Sequence, residues 1–187
     1  MFDLVKKSIL TFGYFSNEEL QQIFGRMKMI TLKKDAYLVL RGQHCEEFYF
    51  IHSGHFRHYN ILEDGTEAIL NLYVEEDWVF DYKSVIFRQT SENYIQATDD
   101  AVVLELSAQD FHELIKISDS FFRVGGIFQQ VIQNHDYQHN RLSPEEKYVL
   151  LLKSKPQIIQ KFPLKYIASY LGITPETLSR VRRKIIS

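Results

Sequence analysis

The stretch from Ala168 to Lys184 reads ASYLGITPETLSRVRRK and gathers four cations, Arg180, Arg182, Arg183 and Lys184, within five residues. Guanidinium groups bond guanine edges and phosphates in bidentate fashion, a carboxylate such as Glu176 can accept from cytosine, and an α-helix is an element that fits a major groove. At about 100° per residue, Leu178, Val181 and Ile185 share one face of a helix through this stretch, while Glu176, Ser179, Arg180 and Arg183 share the opposite one. Arg182 and Lys184 fall on the flanks, where phosphates would lie. Arginine on a helix is usually just solvated, so the elements that carry these side chains decide their meaning.

Those elements read as a helix-turn-helix. Leu164–Leu171 is a short helix with Ile167 and Leu171 facing inward and Ala168 small enough to let a second helix cross closely. Gly172 supplies the left-handed residue that commonly ends a helix. Ile173 plugs the corner, Thr174 is the N-cap of the next helix and Pro175 its first residue. The candidate contacts to double-stranded DNA are therefore Thr174, Glu176, Thr177, Ser179, Arg180, Arg182, Arg183 and Lys184. Charge supports the division: the net charge is −2, yet Lys147–Ser187 holds nine Lys/Arg and one acid, leaving thirteen bases and twenty-three acids in residues 1–146. An acidic body carries a small module built to meet a polyanion.

Other reactive residues point less far. His52, His55 and His58 are closely spaced, but on one regular strand His52 and His58 would share a face and His55 oppose them, so the three would not converge on a metal. His135 and His139 lie one helical turn apart without the acidic base of a His-Glu-x-x-His motif. Cys45, the single cysteine of the chain, can form no internal disulfide and no iron–sulfur cluster. No metal, cofactor or enzymatic activity is expected. The alternative is a signalling module that binds a cyclic nucleotide or other small molecule without DNA, with a cupin-like metal enzyme behind it.

The 187 residues are 45% hydrophobic and 25% charged, an ordinary globular composition. No apolar run approaches the roughly 20 residues that span a bilayer and no leader pattern opens the chain, so the expectation is a soluble, cytoplasmic protein without membrane contact. Ser16-Asn17-Glu18-Glu19 is a capping box opening a short helix. From about residue 29 to 106, runs rich in Ile, Val, Tyr and Phe alternate with turn signals, of which Asp64-Gly65 is the sharpest, and indicate an antiparallel roll or barrel. Ser107 caps a further helix. From Asp119 to Asn140, Phe121, Val124, Phe128, Val131 and Ile132 recur near heptad spacing and suit a partner helix, which could be another subunit. Gly125-Gly126 interrupts that helix, explained most simply by close helix approach or a kink, of which close approach is preferred. Ser143-Pro144-Glu145-Glu146, a second capping box, starts a C-terminal domain.

Along nearly its whole length the chain resembles the Crp/Fnr family of transcription regulators. Tyr49-Phe50-Ile51-His52-Ser53-Gly54 is similar to the family's YxIxxG strand, Asp64-Gly65-Thr66-Glu67 to its hairpin, Glu76-Asp77-Trp78-Val79 to its G-D-F-I segment, and IASYLGITPETLSRVRRK to its helix-turn-helix. The resemblance implies an α+β fold: a double-stranded antiparallel β-roll flanked by helices (residues 1–118, a cyclic-nucleotide-binding-like sensor), a long dimerisation helix (119–142), and a C-terminal winged helix-turn-helix (143–187). It implies a homodimer reading a palindromic operator, with Glu176 and Arg180, then Arg183, as base readers, and with RNA polymerase as a further partner. Three residues follow Lys184, so the wing is expected to be truncated. An effector would meet Trp78, Phe80, Asp81, Tyr82, Arg88, Ser91 and Glu92, but where nucleotide-binding members carry Gly-Glu and Arg-Ser this chain carries Phe80-Asp81 and Ser91-Glu92. A carboxylate beside an absent arginine disfavours a cyclic nucleotide phosphate. The roll either senses another small molecule or has lost sensing, its aromatics lining a pocket or, preferably, filling the roll.

Overall fold

Strands form between residues 28 and 107 because β-branched and aromatic residues dominate there and turn formers punctuate them. The computed structural model describes residues 2–126 and 142–186. In chain order they hold α1 (Asp3–Leu10), α2 (Asn17–Phe24), β1 (Lys28–Leu32), β2 (Tyr37–Val39), β3 (Glu47–Ser53), β4 (Phe56–Ile61), β5 (Glu67–Tyr73), β6 (Trp78–Val79), α3 (Tyr82–Phe87), β7 (Tyr94–Ala97), β8 (Ala101–Ser107), α4 (Ala108–Ile117), a 3-10 helix (Asp119–Gly125), α5 (Pro144–Ser154), α6 (Pro156–Lys161), α7 (Leu164–Leu171) and α8 (Pro175–Ile186). The strands make two antiparallel four-stranded sheets, β1-β8-β3-β6 and β2-β7-β4-β5, which is the expected roll.

The central strand β3 is covered on both faces, so its Phe48, Tyr49, Phe50 and Ile51 form a continuous buried apolar run rather than an alternating one. On β3, Phe48 and Phe50 join Trp78, Leu104 and Leu106 in a core closed by α1, α2 and α4. Their neighbours Tyr49 and Ile51 turn into the space between the sheets, with Phe56, Tyr73, Ile95 and Val103. Tyr59, Ile69, Leu72 and Val74, on the outer side of the second sheet, share a third core with α5–α8. The protein is thus layered: N-terminal helices, sheet, sheet, C-terminal helices.

The turn and cap signals fold as read. Gly65 takes φ +83°, which a side chain would resist, and Asp64 accepts from the Thr66 amide at 2.9 Å. Ser16 and Ser143 each complete a capping box, with Glu19 and Glu146, and Ser107 caps α4.

The segment expected to dimerise requires correction. Residues 119–125 form a 3-10 helix. Phe121 (0% exposed) and Val124 (4%) are buried in the chain's own core, the Phe121 ring 6.1 Å from that of Phe15. Side chains already packed inside the protomer cannot contact a second one, so these two are core residues. A Cβ on Gly126 would lie 2.5 Å from Cδ1 of Phe12, so the glycine permits close approach of an aromatic ring. Phe128, Val131, Ile132, His135 and His139 lie outside the described residues.

Candidate nucleic-acid interface

Helix α7 ends as its sequence requires. Gly172 adopts φ +66°, its amide donates to the Ser169 carbonyl at 3.0 Å, and the Ile173 amide donates to the Ala168 carbonyl at 3.0 Å. The hydroxyl of Thr174 accepts from the Thr177 amide (3.2 Å), capping α8, and its carbonyl accepts from the Leu178 amide (3.0 Å). Leu178 and Val181 are buried against α5 and α7. Glu176, Arg180, Arg183 and Lys184 are exposed, with Thr177 and Ser179 half-buried. Glu176 sits in the first turn of α8, where hydrogen bonds from its own amide and then from the Thr174 hydroxyl hold its carboxyl below the usual range. Arg180 donates to the Thr177 hydroxyl at 3.2 Å. The exposed side of α8 therefore presents one carboxylate and two guanidinium groups at spacings of four and three residues.

Two expectations about this helix change. Ile185, placed with the packed residues, is 38% exposed. Arg182 is half-buried, and its Nε is shut from solvent without a partner among the described residues, which leaves it less available to phosphates than a flank position suggested. Lys184 meets Glu145 at 2.8 Å on the surface, an exposed pair that phosphates can displace at little cost.

One supporting residue escaped notice. Lys147 is 7% exposed, and its Nζ donates to the Leu171 carbonyl at 3.0 Å, placing a cation at the C-terminus of α7 beside the turn. Its legible signal was a lysine at i−4 to Leu151 on the apolar stripe of α5.

The expected effector residues scatter. Trp78 and Phe80 are core: the Trp78 indole stacks edge-on to Phe50 at 5.2 Å and donates to the Ser8 hydroxyl at 3.0 Å, and Phe80 meets Phe48 at 5.2 Å. They fill space against the N-terminal helices. Arg88 is exposed with φ +52°, Tyr82 is half-buried against Phe87, and Glu92 pairs with Lys83 on the surface at 2.9 Å. Only Asp81 and Ser91 come together. The buried Asp81 carboxylate accepts from the Ser84 amide (2.8 Å), the Ser91 hydroxyl (2.8 Å) and the Asn93 amide group (3.2 Å), and Ser84 in turn accepts from the Cys45 amide (2.7 Å).

The three nearby histidines lie on and between two strands. Gly54, at φ +87°, reverses the chain between β3 and β4. His55 then packs on Phe162 (5.3 Å) and His58 on Tyr73 (6.3 Å), so the rings diverge. Among the described residues no cluster of His, Cys, Asp and Glu is arranged to hold a metal ion, and no helix is long and apolar enough to cross a membrane.

Residues 29–118 match the family model of the cyclic nucleotide-binding domain. No curated protein matches the sequence. Among solved structures, FixK2 from Bradyrhizobium japonicum is similar at TM-score 0.67 and 17% identity, over 86% of this chain and 84% of that one. A Crp/Fnr-family transcriptional regulator from Eubacterium rectale is similar at TM-score 0.64 and 18% identity, over 92% and 84%. The chain has the Crp/Fnr fold. The c-di-GMP responsive global regulator CLP of Xanthomonas campestris shares it at TM-score 0.66 and 15% identity, over 91% and 92%. The Crp/Fnr architecture accounts for the order of the layers here: a cyclic nucleotide-binding-type roll with helices on one side and a C-terminal helix-turn-helix on the other.

Proposed function

We propose that this protein is a homodimeric transcription regulator that reads a palindromic DNA operator through α8, and that its roll takes no cyclic nucleotide. The observation that carries the reading is the exposed Glu176, Arg180 and Arg183 on a second helix whose apolar residues Leu178 and Val181 are buried and whose start is fixed by Thr174 and Gly172. A helix so held can enter a major groove as a rigid body, Arg180 and Arg183 bonding guanine and Glu176 cytosine. Residues 1–118 would act as the roll, 119–142 as the connection that carries the dimer contact through Phe128, Val131 and Ile132, and 143–187 as the reader, with RNA polymerase as a partner on the promoter.

The exclusion of cyclic nucleotides rests on Asp81 and Ser91. They occupy the two positions that the family resemblance assigns to phosphate and ribose recognition, and they bond each other. A phosphate entering at Ser91 would break its bond to Asp81 and find no arginine to offset the phosphate charge. Any effector is therefore of another chemical class.

The test is selection from a random duplex library by the purified protein at physiological salt, with and without cyclic nucleotide. An enriched palindrome with half-sites about one helical turn apart, indifferent to the nucleotide, is expected. Affinity should also fall steeply as salt rises, because neutralised phosphates release counterions. No enrichment, or a flat salt response, overturns the DNA reading; enrichment only with cyclic nucleotide overturns the exclusion.

A further inference from the structure

Three contacts bolt the helix-turn-helix half to the outer side of the roll. At the free edge of the second sheet, the Ile69 amide of β5 donates to the Ser169 hydroxyl on α7 at 3.0 Å. Lys155, between α5 and α6, donates to both carboxylate oxygens of Asp77 at 2.8 and 3.0 Å, and both side chains are mostly buried. Asp77 is itself fixed, accepting from the Val74 amide at 3.0 Å. The third contact is aromatic. Arg57 of β4 lies over the Tyr59 ring at 4.1 Å and the Tyr166 ring of α7 at 4.9 Å. Its guanidinium is held from the far side by Gln96 (2.7 and 2.9 Å) and by a two-point pair with Glu67.

These contacts sit on a shared apolar core in which Tyr59, Ile69, Leu72 and Val74 of the roll pack with Ile167, Ala168 and Leu171 of α7. A hinge between two modules would leave water and polar surface at the seam; here charged groups are desolvated and paired across it, an arrangement that tolerates little displacement. The docked surface is also the wrong one for occlusion. The roll takes Lys155, Tyr166 and Ser169, while Glu176, Arg180 and Arg183 stay exposed.

We infer that Lys155, Tyr166 and Ser169 are positioning residues for DNA binding: by fixing α8 to the roll they set the distance between the two reading helices of a dimer, and hence the operator spacing the protein accepts. The inference rests on the DNA reading proposed above. It assigns the roll a role that needs no ligand, that of a rigid ruler.

The experiment compares the full-length protein with Lys155→Met/Ser169→Ala and with Tyr166→Leu, substitutions that keep most of the apolar core. Binding is measured to the selected palindrome, to palindromes lengthened or shortened by a few base pairs, and to a duplex with one half-site. The double variant should lose about tenfold in affinity for the correct palindrome, the equivalent of roughly one net hydrogen bond or slightly more. It should also lose discrimination among spacings, with half-site affinity unchanged. Equal losses on half-site and palindrome, or retained spacing preference, overturn the inference in favour of a merely structural seam. Hydrogen exchange of the Ile69 amide, the one in this part of β5 that is held by Ser169, reads the docking in the free protein without DNA. Protection in the wild type that disappears in both variants is expected, and fast exchange in the wild type overturns the docked arrangement. Failure of the wild type to bind any duplex defeats the proposed function instead, while the exchange result still decides whether the seam exists.

Discussion

At the scale of single residues, Arg180 and Asp81 make opposite demands. Arg180 is exposed and, on the reading proposed above, meets DNA rather than the chain, so Arg180→Ala should leave stability within about 0.5 kcal/mol. It should cost roughly 1–3 kcal/mol at one operator position and relax the preference there. Lys184→Ala, by contrast, should weaken all sequences alike and flatten the salt slope by about one; competition binding on single-base operator variants at several salt concentrations separates the two. Asp81 is buried and acts on the chain itself. Removing it by Asp81→Ala strands the buried Ser84 amide and takes one acceptor each from the Ser91 hydroxyl and the Asn93 amide group, and should destabilise the protein by about 1–3 kcal/mol in urea unfolding. Asp81→Asn, which keeps an acceptor, should cost about half as much. The exposed polar side of α8 was legible because helical periodicity alone places Glu176, Arg180 and Arg183 opposite Leu178 and Val181. The Asp81 network was not, because its members are spread from Cys45 to Asn93 and only the closed roll brings them together.

Between elements, the seam where β3 turns into β4 and meets α6 carries a titratable group. His55 packs on Phe162 at 5.3 Å, and burial pushes its pKa below the usual value of 6.5. Asp99 and Glu75 nearby pull the other way, and Lys161 reinforces the depression. A histidine with a depressed folded pKa binds more protons when unfolded, so its contribution favours the folded state least under acid conditions: stability should fall as pH drops from above 6.5 through the folded pKa, and level off below it. Thermal unfolding from pH 8 to 5 should show this decline in the wild type and a weaker one in His55→Gln. Below that window the capping carboxylates take over. Glu19 and Glu146 are held below the ordinary value of 4.5 chiefly by the backbone amides of Ser16 and Ser143. The stability they contribute is present above pH 4.5 and is lost as pH falls through their lowered values. Both caps could be read from four-residue patterns. The heptad reading of residues 119–140 misjudged Phe121 and Val124, because apolar spacing says which side chains need burial but not whether the cover is another subunit or the chain's own Phe15 and Leu114.

For the whole molecule, the consequence of layering is that the C-terminal helices share their apolar core with the roll. Among the described residues β8 is the last strand, and the C-terminal helices pack on the outer face of the roll through Tyr59, Ile69, Leu72 and Val74. Cutting the chain after residue 141 would expose these four together with the helical side chains they cover. At about 1.5–3 kcal/mol for each large apolar side chain returned to water, the loss rivals the entire stability of a small domain, about 5–15 kcal/mol. A fragment of residues 142–187 falls below the size at which a single core is usually sufficient, roughly 60 residues. It should show partial helicity and a broad, non-cooperative melt by circular dichroism, while the complementary roll, with the β5 edge and an apolar face uncovered, should self-associate. Mixing the two fragments should restore a sharp transition. A fragment that melted cooperatively by itself would mean that α5–α8 close their own core, and the roll would then be a platform the reader touches without depending on it.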